Sequence, residues 1–206
     1  MPGEAAGIAV KWDRRWRDAE AGARSRSRPG PGRPQPARVL QENAHLLPAD
    51  GEALELACGL GANARFLARR GLSVSAWDIS AVAIAGLTDL ARAEDLPLRA
   101  EVRDVVADPP SPDSFDVIVV SHYLERGLAP ALIRALRPGG LLFYQTFTVA
   151  KVSDYGPRNP AFRLQANELL QLFADLQVLV YREEGRVGDT GQGFRDEAML
   201  VATKSP

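Results

Sequence analysis

Residues 53–71 read ALELACGLGANARFLARRG, and this stretch decides the fold. It opens on a short apolar run, residues 53–57, interrupted only by Glu55, and closes on a helical pattern over residues 63–70. Between them stand Gly59 and Gly61, where the chain must turn sharply and where a backbone without side chains can approach a ligand. The helix that follows presents unpaired N–H groups and a partial positive charge to whatever binds there, with Asn63 as a candidate cap.

The same alternation continues outward. Further strands are expected at residues 73–77, 98–102, 115–120 and 141–147, and two more late in the chain at 176–182 and 198–203. Helical patterns fill residues 80–93 and 123–136, while the segment ADPPSPDS after the third strand is short and proline-rich. The run DVIVV is apolar on both faces, as a central parallel strand covered by helices on each side requires. An amphipathic pattern over residues 164–174 turns Leu164, Leu169, Leu170, Leu172 and Phe173 towards a core. Strands alternating with helices predict a doubly wound α/β fold, with helices on both faces of a mostly parallel sheet. In such sheets ligands sit outside the carboxyl ends of the strands, where the winding reverses.

The N-terminal part reads differently. A helix over residues 9–20 carries Trp12 and Trp16 on one face. Residues 24–36, RSRSRPGPGRPQP, hold four arginines, four prolines and two glycines with no large apolar side chain, the composition of a flexible linker. A second helix is expected over residues 37–47, stopped by Pro48, with His45 packed among Leu46 and Leu47. The division expected is thus residues 1–36 as helix plus linker and residues 37–206 as the main domain.

Composition excludes several classes. Among 206 residues, 46% are hydrophobic and 25% charged, enough apolar material for a core. No apolar run is long enough to span a membrane, and the N-terminus has no secretory pattern. With 25 basic against 26 acidic residues, a global electrostatic grip on nucleic acid is not expected. Cys58 is the single cysteine, so no internal disulfide forms and a cytoplasmic setting is the expectation. No Cys/His grouping has metal-ligand spacing. Cys58 itself stands before a helix N-terminus, where thiol pKa values tend to fall, although small size in a crowded turn explains it better.

Three acids mark the strand ends. Glu55 lies just ahead of the glycine turn, Asp78 ends the second strand, and Asp104 follows the third. Residues 59–64, GLGANA, formally satisfy a dinucleotide pattern, and Asp78 is placed to hold ribose hydroxyls in either case. Alone, that pair does not separate a nicotinamide dinucleotide, and hence an oxidoreductase, from another adenosine cofactor. Glu55 leans towards a cationic ligand: beside a pyrophosphate it would be repulsive, beside an ammonium and sulfonium attractive. Its alternative role is to cap amides of the turn. Asp104 can accept from an exocyclic amine, or serve as an ordinary turn residue.

The ordered set ELACGLG, the acid of SAWDIS, the acid of EVRDV, FDVIVVSHYLER and LRPGGLLFYQTF resembles the successive motifs of class I S-adenosylmethionine-dependent methyltransferases over residues 37–203. WDRRW and the segment YGPRNPAFRLQANELLQLFADLQVLVYRE resemble the small bacterial branch that includes tellurite-resistance and thiol methyltransferases. The resemblance implies a Rossmann-like seven-stranded sheet with an antiparallel C-terminal strand, S-adenosyl-L-methionine as cofactor, and a small-molecule methyl acceptor, with no nucleic acid or membrane partner. It implies that Glu55, Ala57, Gly59 and Gly61 cradle the methionine part. Asp78 would bind the ribose and Ile79 would pack on the adenine. Asp104 and Val105 would hold its edge, and Ser121 would approach the cofactor. Two positions depart from the pattern: relatives often carry arginine at His122 and glutamate at Gln145.

Transfer from a sulfonium is an in-line displacement that chiefly needs alignment and exclusion of water, with a base only for an acceptor that is protonated. His122 and Tyr123, after the fourth strand, are the catalytic candidates, since histidine side chains titrate near neutrality. Arg126 is a further candidate for substrate contact. Trp12 and Trp16 either dock the first helix on the sheet or cover the cofactor as a lid.

Overall fold

The computed structural model describes residues 2–24 and 35–205, so most of the Arg/Pro/Gly linker, residues 25–34, lies outside the described residues. The chain divides into two units, one taking residues up to Pro36 with Ala49–Pro109, the other Ala37–Pro48 with Pro110–Pro206.

In the first unit, α1 (Pro2–Arg24) is longer than the twelve-residue pattern suggested, extended at both ends by alanine-rich sequence of high helix propensity. Strands β1 (Glu52–Leu56), β2 (Ser73–Asp78) and β3 (Leu98–Val102) pair in parallel, with Glu55 level with Ala76 and Asp78 level with Val102. Helices α3 (Ala62–Ala68) and α4 (Ala81–Ala93) make the crossovers. Ala53, Leu54, Leu56, Leu67 and Leu72 are wholly buried. Ser80 caps α4, its hydroxyl accepting from the Ala83 amide at 3.2 Å.

In the second unit, the helix expected over residues 37–47 reduces to α2 (Arg38–Glu42) and a single 3₁₀ turn (Ala44–Leu46). His45 is exposed there rather than packed. Strands β4 (Phe115–Ser121) and β5 (Leu136–Phe147) are parallel; β7 (Glu197–Thr203) runs antiparallel to β5, and β6 (Gln177–Arg182) antiparallel to β7. Val117, Ile118 and Val119 are fully buried, as a two-sided central strand requires. The helix of residues 123–136 is a 3₁₀ turn (Arg126–Leu128) followed by α5 (Ala129–Ala135).

The amphipathic pattern of residues 164–174 yields only α6 (Glu168–Leu172). Leu164 is drawn into bridge pairing with Thr148 instead, its amide donating to the Phe147 carbonyl at 2.8 Å, and Asn167 turns the chain at φ +60°. Leu164, Leu169 and Phe173 are buried all the same. Leu170 and Leu172, expected in the core with them, are only half-buried, because backbone pairing overrode the helical period.

The strand order is β3-β2-β1-β4-β5-β7-β6 in one seven-stranded sheet. The antiparallel β7 lies inside this order and β6 forms its edge; a long connection, residues 183–196, joins them.

Candidate functional site

In the first unit, the end of β1 runs into three left-handed residues: Ala57 (φ +51°), Gly59 (+50°) and Gly61 (+70°). Only glycine takes this conformation without steric penalty, so the non-glycine Ala57 is a backbone outlier. The turn is pinned at both ends: the Cys58 amide donates to the Trp77 carbonyl of β2 (3.0 Å) and the Gly61 amide to the Cys58 carbonyl (2.8 Å). Gly61, not Asn63, caps α3. A Cβ on Gly61 would collide with Leu87 of α4, which fixes glycine here on packing as well as conformation.

Asn63 works from inside the helix. Its Nδ2 donates to Glu55 Oε1 (2.7 Å), and the Ala64 amide donates to Glu55 Oε2 (2.7 Å). Glu55, 2% exposed, therefore takes the amide-capping arrangement. Burial pushes its carboxyl up to about 8, against the pull of the Asn63 and Ala64 hydrogen bonds.

Asp78 links two turns. Its Oδ2 accepts from the Gly59 amide (2.8 Å) and its Oδ1 from the Ser80 amide (2.9 Å). It is 7% exposed, and burial raises its pKa while these two amides oppose the rise. Asp104 is looser: its Oδ1 accepts from the amides of Val106 (3.0 Å) and Ala107 (3.4 Å), an Asx turn at the head of the next loop. Val105 is buried and Ile79 half-buried. The Cys58 thiol is pushed up, by burial first and then by the Glu55 and Asp78 carboxylates, which agrees with a small packed residue in a crowded turn and not with a helix-activated thiol.

Helix α1 reaches this turn. A Cβ on Gly59 would meet carbons of the Trp16 indole at 2.7 and 2.9 Å, so the ring lies directly on the glycine. Trp12 stacks on Trp16 with centroids 6.1 Å apart. Asp13 Oδ1 accepts from the Ser80 hydroxyl (2.5 Å) and the Val82 amide (3.2 Å), adding a second acid to the N-terminus of α4. The hydroxyl bond from Ser80 is the main cause that lowers the Asp13 pKa. Asp13 was absent from the sequence reading; its spacing of three from Trp16, which puts both on one helix face, was the available signal.

An adenosyl ligand fits the donor set. Each oxygen of Asp78 is used once by an amide, which leaves two acceptor positions for vicinal hydroxyls. The turn offers bare backbone at Gly59, and the Trp16 Nε1 beside it is buried without a hydrogen-bond partner. The Trp16 ring holds the space over Gly59 that such a ligand would share.

In the second unit, Ser121 ends β4 and His122 follows in a left-handed conformation (φ +55°), its amide donating to the Gln145 carbonyl at 2.9 Å. His122 Nε2 lies 2.8 Å from Glu197 Oε1, at the start of β7. Gln145 Nε2 donates to the other oxygen of Glu197 (2.5 Å), and the Val39 amide donates to Gln145 Oε1 (2.8 Å). The imidazole stacks on Phe147 (centroids 5.0 Å) and meets the edge of Tyr155 (6.4 Å). The Tyr123 carbonyl accepts from the buried Tyr144 hydroxyl at 2.9 Å. Arg126 is committed elsewhere: it grips Glu168 with two donors (2.5 and 3.0 Å) and gives others to the carbonyls of Ala161 and Arg163. Glu197 was missed by sequence reasoning, since one acid heading an apolar strand carries no local sign of a partner so distant in the chain.

Among the described residues, no three His, Cys, Asp or Glu side chains gather to hold a metal ion, and no helix is long and apolar enough to cross a membrane. Residues 53–140, from the start of the glycine-bearing strand into the PGG bend of β5, match the family model described as a methyltransferase domain. Over those residues the chain is similar to methyltransferases. The cofactor of that family is S-adenosyl-L-methionine.

Among relatives, the chain is 36% identical over 140 residues to "Hemagglutinin 1" of Eikenella corrodens, covering 64% of this chain and 46% of the relative. It is 28% identical over 159 residues to "Probable S-adenosyl-L-methionine-dependent methyltransferase TehB" of Haemophilus influenzae, covering 74% and 55%. The crystal structure of TehB from Haemophilus influenzae shares the fold, with a TM-score of 0.65 at 24% identity over 82% of this chain and 62% of that one. The chain thus spans about half the length of these sequence relatives.

Proposed function

We propose that the chain transfers a methyl group from S-adenosyl-L-methionine to a small-molecule acceptor in the cytoplasm. The observation that carries this reading is Asp78, whose carboxylate bridges the amides of Gly59 and Ser80 while keeping an acceptor position on each oxygen. The match of residues 53–140 to the methyltransferase family supports the same reading. When bound, the cofactor supplies an electrophilic methyl carbon on a sulfonium.

The protein's part is to bind, align and exclude water. Asp78 would hold the ribose hydroxyls. Gly59 and Gly61, with Ala57, would give the backbone along which the methionine part lies. Glu55 would keep that turn in shape through α3. Ile79 and Val105 would flank the adenine, with Asp104 at its edge. Ser121 would approach from β4, and His122 with Tyr123 would face the acceptor. For a protic acceptor, His122 would take the X–H proton, freeing the acceptor's electron pair for the methyl carbon that the cofactor would supply together with its sulfur leaving group.

Helix α1 is the lid of this reading. Trp16 occupies the face of Gly59 and must shift for a ligand to lie there, taking Asp13 from Ser80 as α1 moves. The test is tryptophan emission during titration with S-adenosylhomocysteine. A saturable change that Trp16→Phe abolishes supports the lid, and an emission that stays constant through saturation, with binding established by calorimetry, rejects it. The activity itself is tested by a methyl-donor turnover screen over hydroxyl, thiol, amine and chalcogen oxyanion acceptors. Cofactor binding without turnover on any of them would leave a non-catalytic binding protein.

A further inference from the structure

The hydrogen bonds around His122 have a direction, and that direction is set by a group that cannot be reversed. The Val39 main-chain amide is only a donor, so the Gln145 side-chain atom it meets must be the carbonyl oxygen, Oε1. Turning the Gln145 amide over would set two donors against each other. The Gln145 NH2 therefore faces Glu197, which must accept through Oε2. The remaining carboxylate oxygen, Oε1, meets His122 Nε2, which must carry the hydrogen in a neutral ring. Nδ1 is then left as a bare lone pair.

The surroundings agree with a side chain held for use. Glu197 has 7% of its side chain exposed, whereas His122 has 38%. A nearly buried carboxylate thus orients a half-exposed imidazole. Among the described residues no hydrogen bond reaches Nδ1. Phe147 stacks on the ring and Tyr155 stands edge-on to it, so two walls beside the imidazole are aromatic; the Arg163 guanidinium lies over Phe147 at 5.7 Å. The left-handed backbone at His122 is a further cost that the fold bears at this point.

We propose that Glu197 is a positioning residue that locks His122 with hydrogen on Nε2 and a free lone pair on Nδ1, making His122 a proton acceptor for a neutral hydroxyl or thiol carried on an apolar body. This rests on the methyltransfer reading above and gives it a substrate class. An acceptor already ionised, such as a chalcogen oxyanion, has no proton to surrender and would gain nothing from the arrangement. In group terms the proton of the acceptor ends on Nδ1, and the imidazolium that results is stabilised through Nε2 by the Glu197 carboxylate.

The test does not depend on turnover alone. Long-range proton–nitrogen spectra of the full chain report the tautomer of each histidine, and with His45 the other histidine, His45→Gln assigns the signals. The wild-type neutral ring is expected with hydrogen on Nε2. In Glu197→Gln the new amide must accept from Gln145 and so turns its NH2 towards His122, which moves the ring hydrogen to Nδ1. Turnover of hydroxyl or thiol acceptors should fall about 10²-fold or more, with cofactor affinity within about twofold of wild type. The double exchange, Glu197→Gln with Gln145→Glu, rebuilds each bond in the same sense. The Val39 amide then donates to the carboxylate introduced at position 145. The amide introduced at position 197 donates its NH2 to that same carboxylate and turns its oxygen to His122 Nε2. This pair of substitutions should restore the Nε2 tautomer and much of kcat.

A wild-type ring with hydrogen on Nδ1 overturns the proposal, as does a tautomer that ignores Glu197→Gln. So does turnover confined to oxyanions and indifferent to that substitution. Absence of cofactor binding in the wild type would instead remove the methyltransfer reading, while the tautomer would still decide the role of Glu197.

Discussion

The acidic rim of the first unit and the His122 cluster of the second use polar side chains in opposite ways. In the first unit the carboxylates of Glu55, Asp78 and Asp104 accept from main-chain amides at strand–helix or strand–loop turns. They act as parts of the backbone, fixing the shape of the turns. In the second unit a carboxylate is spent on another side chain, so that one nitrogen of an imidazole is left uncommitted. On the proposed reading, binding is built from groups that stay fixed, and chemistry from a group whose free valence is aimed. Substitutions in the two regions should therefore be told apart by which measurement they move.

The largest effect is expected at His122. His122→Ala should reduce turnover of a protic acceptor by about 10²–10⁴-fold and leave cofactor affinity and thermal stability nearly unchanged; an equal loss in binding and turnover would erase the contrast. Glu55→Ala should do the reverse. It removes the Glu55 acceptor from two buried donors, Asn63 Nδ2 and the Ala64 amide, and should cost about 2–6 kcal/mol of unfolding free energy by denaturant titration, from about 1–3 kcal/mol for each donor.

Glu55 also predicts a pH dependence. Its folded-state pKa, raised to about 8, means that the folded chain binds more protons than the unfolded one between the ordinary carboxylate range and about pH 8. Stability contributed by this group is full below that window and is lost as pH rises through it, with a slope of at most about 1.4 kcal/mol per pH unit. Asp78, shifted the same way, adds to the trend. Melting temperatures measured from about pH 5 to about pH 9 should fall, and Glu55→Gln should flatten the curve. The smallest effect is expected at Asp104, an Asx-turn acceptor at a half-buried position. Asp104→Ala should weaken cofactor binding by less than about tenfold and stability by about 1 kcal/mol.

What could be read from the sequence follows the range of the interactions concerned. The glycine turn, the acid ending β2 and the apolar run of β4 are short-range signals, and the structure has β1 leading into the turn, Asp78 as the last residue of β2 and β4 buried on both faces. The shortened α6 was illegible because Leu164 pairs with Thr148, a contact no helical pattern reports. Asn63 looked like a cap and is a donor to Glu55 instead, because the left-handed Gly61 already starts the helix. Glu197, Gln145 and Val39 meet only through the pairing of β5 with β7 and the placement of α2. A sequence pattern carries no sign of such a relay.

The most direct measurement is calorimetric titration of the wild-type chain and Asp78→Asn with S-adenosyl-L-methionine, and of the wild type with NAD. Saturable binding of the methyl donor, weakened about tenfold or more in Asp78→Asn as the loss of a charge-assisted bond requires, with no heat from NAD, is the expected result. Binding of NAD in place of the methyl donor, or an Asp78→Asn chain that binds the methyl donor as tightly as the wild type, would contradict the account.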